Sequence, residues 1–211
     1  MREARVFADV TRMALPLALV CIGASLQWRT LRPDHPLLRE INTRFDVPHS
    51  RWNAVTRQQF EAAGLRVLVE VEGDGVHLAT SADGLRVVFF QGHPEYDTIS
   101  LLKEYKREVG LYADGARADY PPFPVDYFGV QERALLNEHR SRVDAARLRG
   151  DAIPAFPERL VAQRLDNTWH DTAEAVVGNW MGLIYQVTHN DRRIPFMEGI
   201  DPDDPLGLYG E

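Results

Sequence analysis

A chain of 211 residues, 45% hydrophobic and 26% charged, is long enough to bury an ordinary core without covalent staples, and it reads as one domain. Its formal charge of −7 leaves no basic excess to release counterions, which argues against a nucleic acid or an anionic membrane as partner. The single cysteine, Cys21, excludes an intrachain disulfide and a cysteine zinc cluster, and fits a reducing, cytoplasmic compartment.

Residues 1–12 mix charged and apolar side chains, and residues 13–26 are nearly all apolar apart from Ser25, with Pro16 inside the run. A secretory signal has this general outline, but Glu3 and Asp9 dilute the positive start and Pro16 interrupts the apolar stretch. The stretch is also too short to span a bilayer, so a buried strand or helix edge is expected. Within it Cys21 reads as a small inert core residue rather than a nucleophile.

Residues 33–38 read as a loop leading to Ile41. Phe45-Asp46-Val47 then runs into the polar cluster Pro48-His49-Ser50-Arg51-Trp52-Asn53, which fits a ligand-side loop or a solvated one. From Leu65 the apolar residues Val67, Val69 and Val71 alternate with polar ones, the period of a half-buried strand. Gly73-Asp74-Gly75 turns the chain, residues 76–80 form a second strand, Ser81 to Gly84 a second turn, and residues 85–91 a third strand. The run Val87-Val88-Phe89-Phe90 fits a strand buried on both faces, and Gly92 behind it allows a sharp turn. His93 then stands at the carboxyl end of a strand, the edge of an open α/β sheet where ligands bind.

Asp97 is expected to cap a helix that turns Ile99, Leu102 and Val109 inward and Ser100, Lys103, Glu104 and Arg107 outward. Tyr120-Pro121-Pro122-Phe123-Pro124, with Tyr127-Phe128, forms a rigid connector without helix. A charged helix follows over residues 133–149, a break at 153–157 and another helix at 158–165. After Asn167-Thr168-Trp169 a last helix carries Ala173, Val176, Val177, Trp180, Ile184 and Val187 at helical spacing, a core stripe. The segment 192–211, rich in Pro, Asp and Gly, reads as a surface tail.

The chemistry concentrates at His93-Pro94-Glu95. Proline keeps the peptide extended, so side chains two apart lean the same way and Glu95 can reach the His93 ring. A carboxylate on one imidazole nitrogen sets the tautomer and stabilises the imidazolium, leaving the other nitrogen to take a proton from a nucleophile. A His-Pro-Glu tripeptide alone is a weak signal, since any loop can hold one.

Its context is narrower. Gly92-His93-Pro94-Glu95-Tyr96-Asp97, followed by Leu101-Leu102, Glu104-Tyr105 and Arg107, resembles the homoserine O-succinyltransferase and O-acetyltransferase family of methionine biosynthesis. The resemblance extends over Val47 to Asn53, Asn167 to Trp169 and Asn179-Trp180. It implies a flavodoxin-like α/β sandwich related to class I glutamine amidotransferases. Members pass an acyl group from coenzyme A, through a thioester on a cysteine, to the homoserine hydroxyl. Carried onto this chain, His93 is the general base, Glu95 its orienter, and Ser50 and Arg107 bind substrate. The resemblance implies no metal and no resident cofactor, with acyl-CoA as a co-substrate, succinyl-CoA rather than acetyl-CoA by the flanking Arg51-Trp52-Asn53 and Phe89-Phe90-Gln91. Family members are often dimers.

The departure lies upstream. Ungapped spacing from Ser50 and His93 puts the family's nucleophilic cysteine just before Met1, and its substrate lysine near Leu15 to Ala18, where no lysine stands. Without a thiolate the pair cannot form the thioester, so the chain reads as the carboxyl-terminal part of a transferase, its amino-terminal part missing, and inactive by itself. The competing readings are a decayed remnant or interaction module, and a glutamine amidotransferase-like hydrolase.

Overall fold

The computed structural model describes residues 26–51, 54–71 and 75–209. The expectations for the apolar amino-terminal stretch with Cys21, and for the turn at Gly73-Asp74, fall outside the described residues. Among the described residues five strands form one sheet: β1 (Leu26–Thr30), β2 (Arg44–Val47), β3 (Arg66–Val71), β4 (Gly75–Thr80) and β5 (Val88–Phe90). Their order is β2-β1-β3-β4-β5 and every pairing is antiparallel. The helices are α1 (Arg57–Ala62), α2 (Ser100–Ala113), α3 (Val130–Arg149), α4 (Glu158–Ala162) and α5 (His170–Val187), so the architecture is mixed α/β.

The β3–β4–β5 meander matches the sequence pattern, but the reading of residues 87–90 as a strand buried on both faces needs correction. Among the described residues β5 is a three-residue strand at the end of the sheet order, and all three side chains are half-buried. It has one hydrogen-bonded neighbour, β4, with Leu78 opposite Phe90 and Thr80 opposite Val88.

The sheet is covered on both faces. On one, Phe60 of α1 packs with Val67, Val76 and Ala79. Thr56 starts that helix with a reciprocal cap: its hydroxyl accepts the Gln59 N–H at 3.3 Å while Gln59 Oε1 accepts the Thr56 N–H at 2.8 Å. On the other face Val176, Leu183 and Val187 of α5 pack with Phe45, Val47, Val69 and Leu78. Register shifts around Val69 put Leu68 and Val69 in the same cluster, where strict alternation would separate them. A further cluster joins α2, α3 and α4 through Leu102, Tyr105, Leu136 and Val161, with Phe128 of the proline-rich connector buried among them.

Three local expectations change. Val177 of the α5 stripe is 45% exposed and Leu183 takes its place in the core. Asp97 sits two residues before the Ile99 cap position of α2 and accepts the Ile99 N–H at 3.0 Å and the Ser100 hydroxyl at 2.8 Å. The segment from Arg192 is coil, yet it is anchored: Phe196 is buried in the α5-side core, and Arg66 lies 3.5 Å from the Tyr209 ring centroid.

Gly92 is required for a reason other than turning. Its φ is not among the left-handed ones, but a Cβ there would meet Val47 Cγ1 at 2.6 Å, His49 Nε2 at 2.7 Å and His77 Nδ1 at 2.9 Å. Gly92→Ala is expected to lower stability by about 1–3 kcal/mol in urea unfolding, the cost of overpacking a filled site; an unchanged midpoint would contradict this packing. The fold also buries His35, His49 and His77. Burial pushes their pKa values down to about 4, about 2 and about 3 respectively, with neighbouring positive groups adding to the shift. Unfolded, each binds a proton near pH 6.5, so the unfolded state holds more protons below that point. Stability is therefore full above pH 6.5 and falls on acidification towards these folded values, each histidine adding a slope of up to about 1.4 kcal/mol per pH unit. In His77→Phe the loss between pH 6.5 and pH 5 should be measurably shallower than in the parent.

Candidate active site

His93 is held by its backbone before its side chain acts. Its N–H donates to Pro48 O at 2.8 Å, and Tyr96 N–H returns to His93 O at 3.2 Å, closing a turn around Pro94. Gln91 ties the same two segments: its amide donates to Val55 O at 2.7 Å and accepts the Val55 N–H at 2.8 Å. The loop after β2 is thereby fastened against the end of β5.

Both ring nitrogens of His93 face acceptors. Nδ1 lies 2.8 Å from Glu95 Oε1 and Nε2 lies 3.0 Å from the backbone oxygen of Ser50. A neutral ring has one N–H and can serve one of them; the imidazolium serves both. A ring held this way can take up a proton at Nε2 and keep its charge against the Glu95 carboxylate. The His93 side chain is 32% exposed and Glu95 66%, so the pair stands at the surface within reach of a ligand.

The ring plane is set from one side by Tyr96, stacked on it at 4.2 Å between centroids and 17° between planes. Tyr96 is fixed in turn: its hydroxyl donates to Glu104 Oε1 at 2.6 Å, and its carbonyl accepts the Trp169 Nε1–H at 2.8 Å. Burial raises the Tyr96 phenol pKa, with Glu104 adding to it, so the group stays a neutral donor. Trp169 itself is placed by Asn167 Oδ1, which accepts the Trp169 and His170 N–H groups at 3.2 and 3.0 Å, and by Thr168, whose hydroxyl donates to Asp46 at 2.7 Å.

Of the four residues expected at the site, the structure joins His93, Glu95 and Ser50, the last through its carbonyl. Arg107 lies two turns into α2 with its guanidinium 59% exposed, and Nε and Nη2 both reach Glu108 Oε1 at 3.2 Å. It does not line the open cleft of about 980 Å³ beside Glu95, which carries the carboxylates of Glu95, Asp97, Asp171 and Glu174 and one imidazole, His170. Sequence reading gave no role to Tyr96, Glu104, Arg51 or the buried His49 and His77. A signal was present for His49, Arg51 and Tyr96, which stand in the polar stretches that follow β2 and β5. Despite the number of histidines, no three His, Cys, Asp or Glu side chains among the described residues converge as a metal-binding set.

Comparison with known proteins identifies the family. The family model described as homoserine O-succinyltransferase matches residues 5–190. Among curated proteins, the homoserine O-succinyltransferase of Allochromatium vinosum is 68% identical over 180 residues, covering 85% of this chain and 50% of that protein. Those of Nitrosococcus oceani and Methylococcus capsulatus are 59% and 61% identical over 180 residues, covering 85% of this chain and 50% and 51% of theirs. The chain thus spans about half the length of the curated relatives it matches. With a family model covering most of its length, and a histidine–carboxylate pair in the motif that first pointed there, the chain belongs to the homoserine O-succinyltransferase family.

Proposed function

We propose that this chain supplies the proton-transfer and substrate-binding residues of a homoserine O-succinyltransferase, which moves a succinyl group from coenzyme A to the hydroxyl of L-homoserine in methionine biosynthesis. The observation that carries this reading is the His93 ring, placed between Glu95 at 2.8 Å and the Ser50 carbonyl at 3.0 Å. Family membership supplies the reaction class.

In the proposed sequence a cysteine thiolate attacks the succinyl-CoA carbonyl and CoA leaves as its thiolate, giving an acyl-cysteine. The homoserine hydroxyl oxygen then attacks that carbonyl while its proton passes to His93 Nε2, displacing the Ser50 carbonyl as partner. Collapse forms the ester and releases the cysteine thiolate, and His93 later gives up the proton. Glu95 stabilises the imidazolium in between. Ser50 lies at the reacting end, beside the Tyr96 phenol. Arg107 is assigned to substrate binding on the family resemblance; both its contacts fall on one oxygen of Glu108, which leaves part of its guanidinium fork open.

Cys21 is not assigned as the acyl carrier, because no glycine-bounded elbow surrounds it in the sequence. We place the described layers in a flavodoxin-like, glutamine amidotransferase-type sandwich, and the enzyme in the cytoplasm as a homodimer, on the family resemblance. Among the described residues no helix is long and apolar enough to cross a membrane.

Two experiments test the reading. Incubated alone with radiolabelled succinyl-CoA or acetyl-CoA and homoserine, the 211-residue chain is expected to yield neither labelled protein nor O-acylhomoserine; label that disappears in Cys21→Ser would make Cys21 the nucleophile. Joined to the remaining half of the Allochromatium vinosum relative, it should transfer succinyl groups. In that fusion His93→Ala should lower kcat by roughly 10²–10⁴-fold, and Arg107→Ala should chiefly raise KM for homoserine. Full kcat in His93→Ala would remove the general-base assignment.

A further inference from the structure

Among the described residues Arg51 is a cation without a counter-charge. Its guanidinium Nη1 is buried and has no hydrogen-bond partner there, and no described carboxylate is paired with it. Other arginines of the molecule do have carboxylates: Arg57 lies against Glu61 and Glu70, Arg86 against Asp83, and Arg117 against Glu108. A guanidinium withdrawn from water without an anion is costly, and folded chains rarely keep one unless something arrives to pair with it.

The described surroundings of Arg51 offer it no internal anion. Its charge acts on His49 and on His77, both of which burial keeps neutral, and the same two rings also feel His93. The carboxylate nearest the reacting ring, Glu95, is engaged by His93. Ser50, the residue directly before Arg51, presents its carbonyl to His93 Nε2 at 3.0 Å. One cation with open donors therefore stands next in the chain to the group that faces the proton-accepting nitrogen.

Its chemistry narrows the ligand. The planar guanidinium fork matches two oxygens of one carboxylate, and both substrates of the proposed reaction carry one: the free end of the succinyl group and the α-carboxylate of homoserine. We propose that Arg51 is a carboxylate-binding residue of this site, forming a two-oxygen pair with a substrate carboxylate beside His93. The assignment rests on the acyl-transfer reading for the identity of the ligand, and on the unpaired guanidinium for the site. It is separate from Arg107, whose guanidinium is paired with Glu108.

The test uses the 211-residue chain, isotopically labelled, with the Arg51 Nε–H resonance followed by NMR and affinity by calorimetry. The ligands are succinate, succinamide, L-homoserine and L-homoserinamide. If the succinyl end is the partner, succinate shifts the resonance and succinamide, which lacks the carboxylate, does not. If homoserine is the partner, homoserine shifts it and homoserinamide, which lacks the carboxylate, does not. In either case Arg51→Gln should weaken that ligand at least about tenfold, or about 1.4 kcal/mol. Arg51→Lys, which keeps the charge and loses the fork, should fall between, and it carries the test if Arg51→Gln does not fold. A chain whose Arg51 resonance responds to no carboxylate, or an Arg51→Gln variant that binds as tightly as the parent, overturns the proposal. If Arg51 binds carboxylate but the fusion transfers no acyl group, the site stands and the acyl-transfer reading falls. If the fusion shows His93-dependent transfer that Arg51→Gln leaves unchanged, acyl transfer stands and the Arg51 site falls.

Discussion

The approach of the Gly92 backbone to Val47, His49 and His77 is the contact on which the site depends. With atoms of all three residues within 2.9 Å of where a Cβ would stand, the end of β5 can settle onto the segment after β2 only because residue 92 has no side chain. Once it settles, the His93 N–H reaches Pro48, the His93 ring reaches the Ser50 carbonyl, and the Gln91 amide reaches Val55. Hydrogen bonds between two strand ends thus position a half-buried ring, the preorganisation that proton transfer at a defined atom requires.

Around that contact the molecule distributes charge unevenly. The two imidazoles that meet Gly92, His49 and His77, are kept neutral by burial, and Arg51 acts on both as a cation. The cleft beside Glu95 is lined by four carboxylates and one histidine.

The residues that carry the family resemblance outside the His93 motif prove to be hydrogen-bond anchors. Trp169 donates to the Tyr96 carbonyl, Thr168 to Asp46, Asn179 to the carbonyls of Leu37 and Arg39, and Trp180 to that of Leu85. Each joins α5, or the turn that leads into it, to a distant part of the chain. Together they hang the last helix across the sheet, and the Trp169 bond fixes the backbone of Tyr96, whose ring stacks on His93. Their donors are polar groups that a volume-conserving apolar replacement could not imitate.

Local chemistry was legible in the chain because it depends on near neighbours. Alternation wrote out β3, turn residues the meander, helical spacing α2 and α5, and the proline between His93 and Glu95 determined that their side chains meet. The short helix α1 was equally written, in the Thr56 and Gln59 capping pair, though its six residues give too little period to notice. What only the tertiary structure decided is whatever depends on residues far apart in sequence. The antiparallel order of the sheet and the position of β5 at its end follow from which strands pair, and alternation is the same for every pairing. The use of Gly92 as a contact rather than a turn, the second acceptor on the His93 ring, and the burial of His49 and His77 all arise between residues 47–51 and 77–93. The exposure of Arg107 and the unpaired state of Arg51 among the described residues belong to the same class, since a guanidinium's partner is chosen by the fold and leaves no mark on the residues beside it.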